Sequence, residues 1–170
     1  LFGDAFALIK PGGTDEVFGI NGSGKMPKAF LAEEIRERGH KKMPKNHACS
    51  VTMPGAISAF ELIADKYSKL GLSEACQPAI SYAFEGIPVH PRVALDWSFE
   101  GKDLSGVARD FYLIDGEIPK VGQIFAAPLQ GEVLKRISKE GSKGFYGGEV
   151  AEDFVTSLKS LGGKHELEDF

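Results

Sequence analysis

The chain opens on two short apolar runs separated by turn residues. Asp4-Ala-Phe-Ala-Leu-Ile-Lys10 is mostly apolar, with Phe6 and Leu8 two positions apart on one face. Pro11-Gly-Gly-Thr-Asp15 is dense turn chemistry, and Glu16-Val-Phe-Gly-Ile20 is the second run. The pattern predicts a β-hairpin with strands covered on both faces. A Gly-rich loop over residues 21–27 follows. From about Lys28 the apolar period lengthens: Leu31 and Ile35 share a helical face, Glu34 and Arg38 form a favourable i,i+4 pair, and Gly39 ends the helix. Residues 40–46 read as a polar, basic loop, and Cys49-Ser-Val-Thr-Met53 as a short extended segment.

Helical spacing dominates the rest. Pro54-Gly55 opens a helix with the apolar stripe Ile57, Phe60, Ile63, Ala64, Tyr67 and Leu70, closed by Gly71. Ser73 caps a further turn. Pro78 starts or kinks a helix carrying Ile80, Ala83 and Phe84, which Gly86 stops. Ile87-Pro-Val-His-Pro91 is extended, because residues before Pro avoid the α region. A helix over Pro91 to about Glu100 places Val93 and Trp97 together. Residues 101–114 carry a weaker helical pattern, Asp115-Gly116 is a turn, and Val121-Gly-Gln-Ile-Phe125 is a short strand or extended loop. Leu129, Val133, Leu134 and Ile137 line a helix that Gly141 terminates. Phe145-Tyr146 lies in a Gly-rich loop over residues 142–148. Val150, Phe154, Leu158 and Leu161 line another helix, closed by Gly162-Gly163. Glu166-Leu-Glu-Asp-Phe170 reads as the first turn of one more.

The expected class is α+β, with one β-hairpin followed by mostly helices. Two strands alone do not make a stable sheet, so their partners are expected outside this chain. Residues 1–170 read as a single partial domain cut at both ends and poorly stable alone. Its 42% hydrophobic and 26% charged residues fit a soluble globular protein. The net charge of −4 argues against a dedicated nucleic-acid binder, and Lys41-Lys42 with Lys45 reads as a solvated loop. No apolar run reaches the length of a membrane span. Cys49 and Cys76 lack metal spacing and read as reduced, buried thiols; the four histidines form no catalytic motif. No metal and no cofactor is expected.

One stretch carries candidate chemistry. Gly19-Ile-Asn-Gly-Ser-Gly-Lys-Met26 fits the phosphate-loop spacing G-x-x-x-x-G-K-[ST] except at its last position. Met26 stands where a hydroxyl would ligate Mg²⁺, and a thioether has little affinity for a hard cation. A strand that comes second in a tight hairpin is also the wrong context for such a loop. The plainer reading is a Gly-rich connection whose Asn21 and Ser23 can still face a ligand. Glu149, Glu152 and Asp153 sit in the first turn of a helix, where complementing its dipole is a sufficient role.

The order of motifs resembles the large subunit of the γ-glutamyltransferase (γ-glutamyltranspeptidase) family. Ser50-Val-Thr-Met-Pro-Gly-Ala-Ile-Ser58 is similar to that family's S-V-x-V-P-G-x-V. The likeness continues through Tyr67-Ser-Lys-Leu-Gly71, Pro78-Ala-Ile80, Ala83-Phe-Glu-Gly-Ile-Pro-Val89, Pro119-Lys-Val-Gly122, Gly144-Phe-Tyr-Gly-Gly-Glu149 and Gly162-Gly163 with Leu167-Glu-Asp169. The resemblance implies part of the αββα sandwich of N-terminal-nucleophile hydrolases, made as one self-cleaving chain. The new N-terminal Thr of the small subunit then attacks a γ-glutamyl amide, with its own amine as base and backbone N–H groups on the oxyanion. That Thr lies beyond Phe170, so the resemblance implies no catalytic residue here and a partner in the small-subunit segment of the same precursor.

What the large subunit contributes in the family is an Arg in R-E-x-A-P that grips the substrate carboxylate. Setting that motif's Pro on Pro27 puts Ser23 at the Arg position. Lys25 is near, but a point charge does not reproduce an Arg fork. A buried carboxylate site that loses its paired charge loses about 3–5 kcal/mol. On this resemblance, Asn21, Ser23 and Lys25 are expected to form a modified acyl-substrate loop. The substrate that the resemblance implies is a small-molecule amide, γ-glutamyl or, as in the cephalosporin-acylase relatives, another acyl group. A catalytically silent binding or scaffold member is the reading from another class. A homo-oligomer, and a periplasmic, extracellular or cytoplasmic place, stay open.

Overall fold

Strand β1 (Ala5–Ile9) pairs antiparallel with β2 (Phe18–Gly22) in the computed structural model, which describes residues 3–170. The register sets Ala5 opposite Gly22, Ala7 opposite Ile20 and Ile9 opposite Phe18. This is the expected hairpin, but β2 runs two residues further than its apolar pattern predicts. Ala5, Ala7 and Ile9 turn to the partly buried face, which packs on helix α2 (Ala56–Tyr67). Phe6 and Leu8 share the other face and are exposed, so among the described residues only one face of the hairpin is covered.

The described chain forms two units, Leu1–Glu74 with Arg136–Phe170, and Ala75–Lys135. In the first, α1 (Ala32–Glu37) buries Ile35 but leaves Leu31 exposed before its first turn. Residues Ala48–Ser50 form a 3-10 turn, capped by His47 through Nδ1, which accepts from the Cys49 N–H at 3.1 Å. The extended segment expected over residues 49–53 therefore begins only at Val51. Helix α2 starts after Gly55 as predicted. It buries Ala56, Ile57, Ala59 and Ala64, while Phe60 and Leu70 are exposed. It ends at Tyr67, and Gly71 does not close it. With φ +74°, Gly71 instead opens α3 (Gly71–Glu85).

Helices α6 (Pro128–Glu140), α7 (Lys143–Tyr146) and α8 (Gly148–Ser160) follow the predicted stripes, with one correction. Residues 142–148 are not an open Gly-rich loop. They hold the short helix α7, which buries Phe145 completely. Gly144 is required there, since a Cβ would stand 2.7 Å from the Arg136 carbonyl oxygen. The core of this unit joins Ala48, Met53, Phe154, Val155 and Leu158, with Val51 and Phe170 against it. Leu161 lies outside it, exposed. The last residues form a 3-10 turn, Leu167–Asp169, closed by a reciprocal capping box between Glu166 and Asp169.

In the second unit, Pro78 sits inside α3, and Gly86, at φ +80°, ends that helix. Strand β3 (Ile87–Pro88) pairs antiparallel with β4 (Ile124–Phe125). Helix α4 (Pro91–Glu100) carries Pro91 at its first position and His90 as its cap. Helix α5 (Gly106–Tyr112) occupies the weakly patterned stretch. Trp97 meets Phe125 edge-on with ring centres 5.0 Å apart, and Phe111 meets Tyr112 in the same way at 4.8 Å. Cys49 and Cys76 are both buried and unpaired, and burial pushes the Cys76 thiol up.

Candidate functional site

The loop after β2 is shaped by close backbone approach. Gly19, Ile20, Asn21 and Gly22 belong to the strand, so half of the phosphate-loop spacing falls on paired backbone rather than on a loop. A Cβ on Gly24 would stand 1.5 Å from the Met53 carbonyl oxygen, and one on Gly55 would stand 2.2 Å from that of Gly22. A Cβ on Gly22 would meet that of Ala59 at 2.6 Å. The glycines let residues 22–24 lie directly on residues 53–55, and the Met53 N–H donates to the Lys25 carbonyl at 2.9 Å.

Two of the N–H groups that a phosphate would need are already taken. The Ser23 N–H donates to Asn21 Oδ1 at 2.9 Å, and the Gly24 N–H donates to Asp4 Oδ1 at 3.0 Å. No helix starts after Lys25, since α1 begins at Ala32. The sequence pattern is thus explained by packing, and its resemblance to a nucleotide loop is one of spacing only.

Asn21, near the end of β2, and Ser23 and Lys25, on the loop that follows, are all exposed. Asn21 also lines a groove of about 360 Å³ with Ile20, Gly22, Ser58, Ala59 and Glu61. Among the described residues the Ser23 hydroxyl makes no hydrogen bond, and the Lys25 ammonium makes no ion pair. Both are free to meet a ligand. No three His, Cys, Asp or Glu side chains among the described residues come together as a metal would need.

Two carboxylates that hold the loop were not among the residues expected from sequence. Asp4 holds Gly24. Asp169, on the C-terminal turn, accepts from the Lys28 N–H through Oδ1 and from the Glu166 N–H through Oδ2, each at 3.0 Å. Burial works to raise the Asp169 pKa. The N–H groups of Lys28 and Glu166, with the charges of Lys28 and His165, outweigh it and hold the carboxyl below its ordinary range. The E-x-x-D spacing of Glu166 and Asp169 was the available signal for the turn, but nothing local in the sequence connects Asp169 to Lys28.

Tyr146 fixes the other side of the seam. Its hydroxyl donates to the Pro54 carbonyl at 2.8 Å and accepts from the Ser58 N–H at 3.1 Å. Beside it Phe145, fully buried, anchors the same segment to the core.

The family model for γ-glutamyltranspeptidase matches residues 1–170. The chain belongs to that family. A glutathione hydrolase-like proenzyme of Bacillus subtilis (strain 168) is 27% identical over all of this chain and 33% of its own length. Scoloptoxin SSD14 of Scolopendra dehaani is 32% identical over 78% of this chain and 24% of its own length. This γ-glutamyltranspeptidase family member therefore spans about a third or less of these relatives. The solved γ-glutamyltranspeptidase of Helicobacter pylori superposes with a TM-score of 0.90 at 25% identity, covering 98% of this chain and 49% of that one. The cephalosporin acylase of Bacillus halodurans superposes with a TM-score of 0.87 at 30% identity, over 98% and 32%.

Proposed function

We propose that this chain is a large-subunit segment of a self-cleaving amidohydrolase, and that its loop of Asn21, Ser23 and Lys25 meets the acyl part of an amide substrate. The nucleophilic Thr comes from a small-subunit segment of the same precursor, as the names of the proenzyme relatives support. The observation that carries the reading is the loop itself. It is tied to Asp4, Met53 and Asp169, yet it leaves the Ser23 hydroxyl and the Lys25 ammonium exposed. A rigid backbone presenting free polar groups is what substrate positioning needs.

Two features favour an acyl group other than γ-glutamyl. Ser23 stands where the resemblance places a carboxylate-gripping Arg, and a hydroxyl cannot pair bidentately with a carboxylate. The likeness to the cephalosporin acylase, at 30% identity, points the same way. Lys25 supplies one point charge in place of an Arg fork.

The test uses the whole protein that carries this chain. Self-cleavage to a fragment with an N-terminal Thr is expected, together with faster turnover of a non-glutamyl acyl anilide than of γ-glutamyl anilide. An uncut chain that turns over neither anilide would rule the reading out and leave a binding role.

A further inference from the structure

Asp4 puts a negative charge where an anionic substrate would seek a donor. Ser23 and Gly24 present two adjacent N–H groups just after β2. Neither is vacant. Asn21 Oδ1 accepts from the first at 2.9 Å, and Asp4 Oδ1 accepts from the second at 3.0 Å. Asp4 is exposed and makes no ion pair among the described residues. The cation of the loop, Lys25, follows Gly24 directly. Gly24 is thus bonded to a carboxylate and followed in the chain by a lysine.

From this arrangement we infer that Asp4 is a specificity-determining residue. Its carboxylate occupies the Gly24 N–H from within the chain, and it selects an acyl substrate that is neutral at the end facing Gly24. The inference rests on the reading that this loop meets the substrate. An incoming carboxylate would gain the attraction of Lys25 and meet the repulsion of Asp4. It would also find the Gly24 N–H already bonded, so it would have to displace one anion to seat another. A carboxamide or an alkyl group meets no such opposition, and a carboxamide N–H can donate to the outer oxygen of Asp4.

The test has two arms, both on the whole protein. In the first, inorganic phosphate is titrated into ¹⁵N-glycine-labelled protein while the Gly24 amide signal is followed. The wild-type signal should stay in place. In Asp4→Ala, which frees the Gly24 N–H, it should move saturably. In the second, kcat/KM is compared for γ-glutamyl anilide and for the same anilide with its α-carboxylate converted to carboxamide. The neutral compound should be preferred, and Asp4→Asn, which keeps an acceptor oxygen and loses the charge, should reduce that preference roughly fivefold, the scale of an exposed charge pair. Equal phosphate response in wild type and Asp4→Ala overturns the proposal, as does an unchanged preference in Asp4→Asn. If phosphate behaves as expected but neither anilide is turned over, the internal occupancy by Asp4 stands and the amidohydrolase reading falls.

Discussion

Gly24 lies so close to Met53 that a Cβ there would stand 1.5 Å from the Met53 carbonyl oxygen. No rotamer relieves this, because the obstacle is backbone. Gly24→Ala is therefore expected to push the loop off residues 53–55 and to cost about 1–3 kcal/mol or more, the usual penalty of overpacking. Gly19→Ala is the control, since its added Cβ would meet only the Leu8 side chain at 3.7 Å. Urea unfolding of the whole protein should give a lower midpoint for the first variant than for the second. Equal midpoints would mean that the seam opens without penalty.

Tyr146→Phe keeps the ring and removes only the hydroxyl. The Ser58 N–H, one of the unpaired donors of the first turn of α2, then loses its partner, and so does the Pro54 carbonyl. A loss of about 1–3 kcal/mol is expected for leaving such groups unpaired. Thermal unfolding checks it, and hydrogen exchange should quicken at Ser58 rather than throughout α2.

Acid should loosen the C-terminal turn through Asp169. Its folded pKa is lowered, while an unfolded Asp titrates near about 3.9. A lowered folded value contributes stability that is present above the unfolded pKa and is lost as pH falls through the folded one. The stability advantage of wild type over Asp169→Asn should thus be constant near neutral pH and should shrink below about pH 4. Melting temperatures of the two proteins across that range decide it. A gap that does not change with pH would show that the charge of Asp169 is irrelevant.

His165 is 1% exposed, and its Nε2 lies 2.8 Å from the Val51 carbonyl. Because a carbonyl only accepts, Nε2 carries the proton that faces Val51. Nδ1 is buried without a partner, and the ring meets Phe154 edge-on. His165→Ala should cost about 2–4 kcal/mol through the cavity and the lost hydrogen bond. His165→Leu should cost less, since it fills space and removes the unpaired nitrogen. Denaturant midpoints that rank the two variants the other way would refute this.

The hairpin, most helices and the family were legible because their signals are local or lie in the order of motifs. The stripe Val150, Phe154 and Leu158 appears as α8, with Phe154 and Leu158 in the core. Gly71 misled because a positive-φ glycine usually marks a helix end, whereas here, at φ +74°, it is the first residue of α3. The Phe145-Tyr146 stretch looked like a loop because its flanking glycines hide a single helical turn. Asn21, Ser23 and Lys25 are candidates because the family motif, set on Pro27, falls across them. Asp4, Asp169 and Tyr146 could not, because their partners lie 20, 141 and about 90 residues away and carry no shared pattern.

That separation bears on synthesis. The Lys28 N–H waits for an oxygen 141 residues downstream, and the entry to α2 waits for Tyr146. A ribosome adding about 5–20 residues per second has made the loop many seconds before it makes the residues that lock it. The hairpin forms early and its loop is secured late, so a stalled or shortened chain would expose the glycines of residues 22–24 to any protease that reaches them.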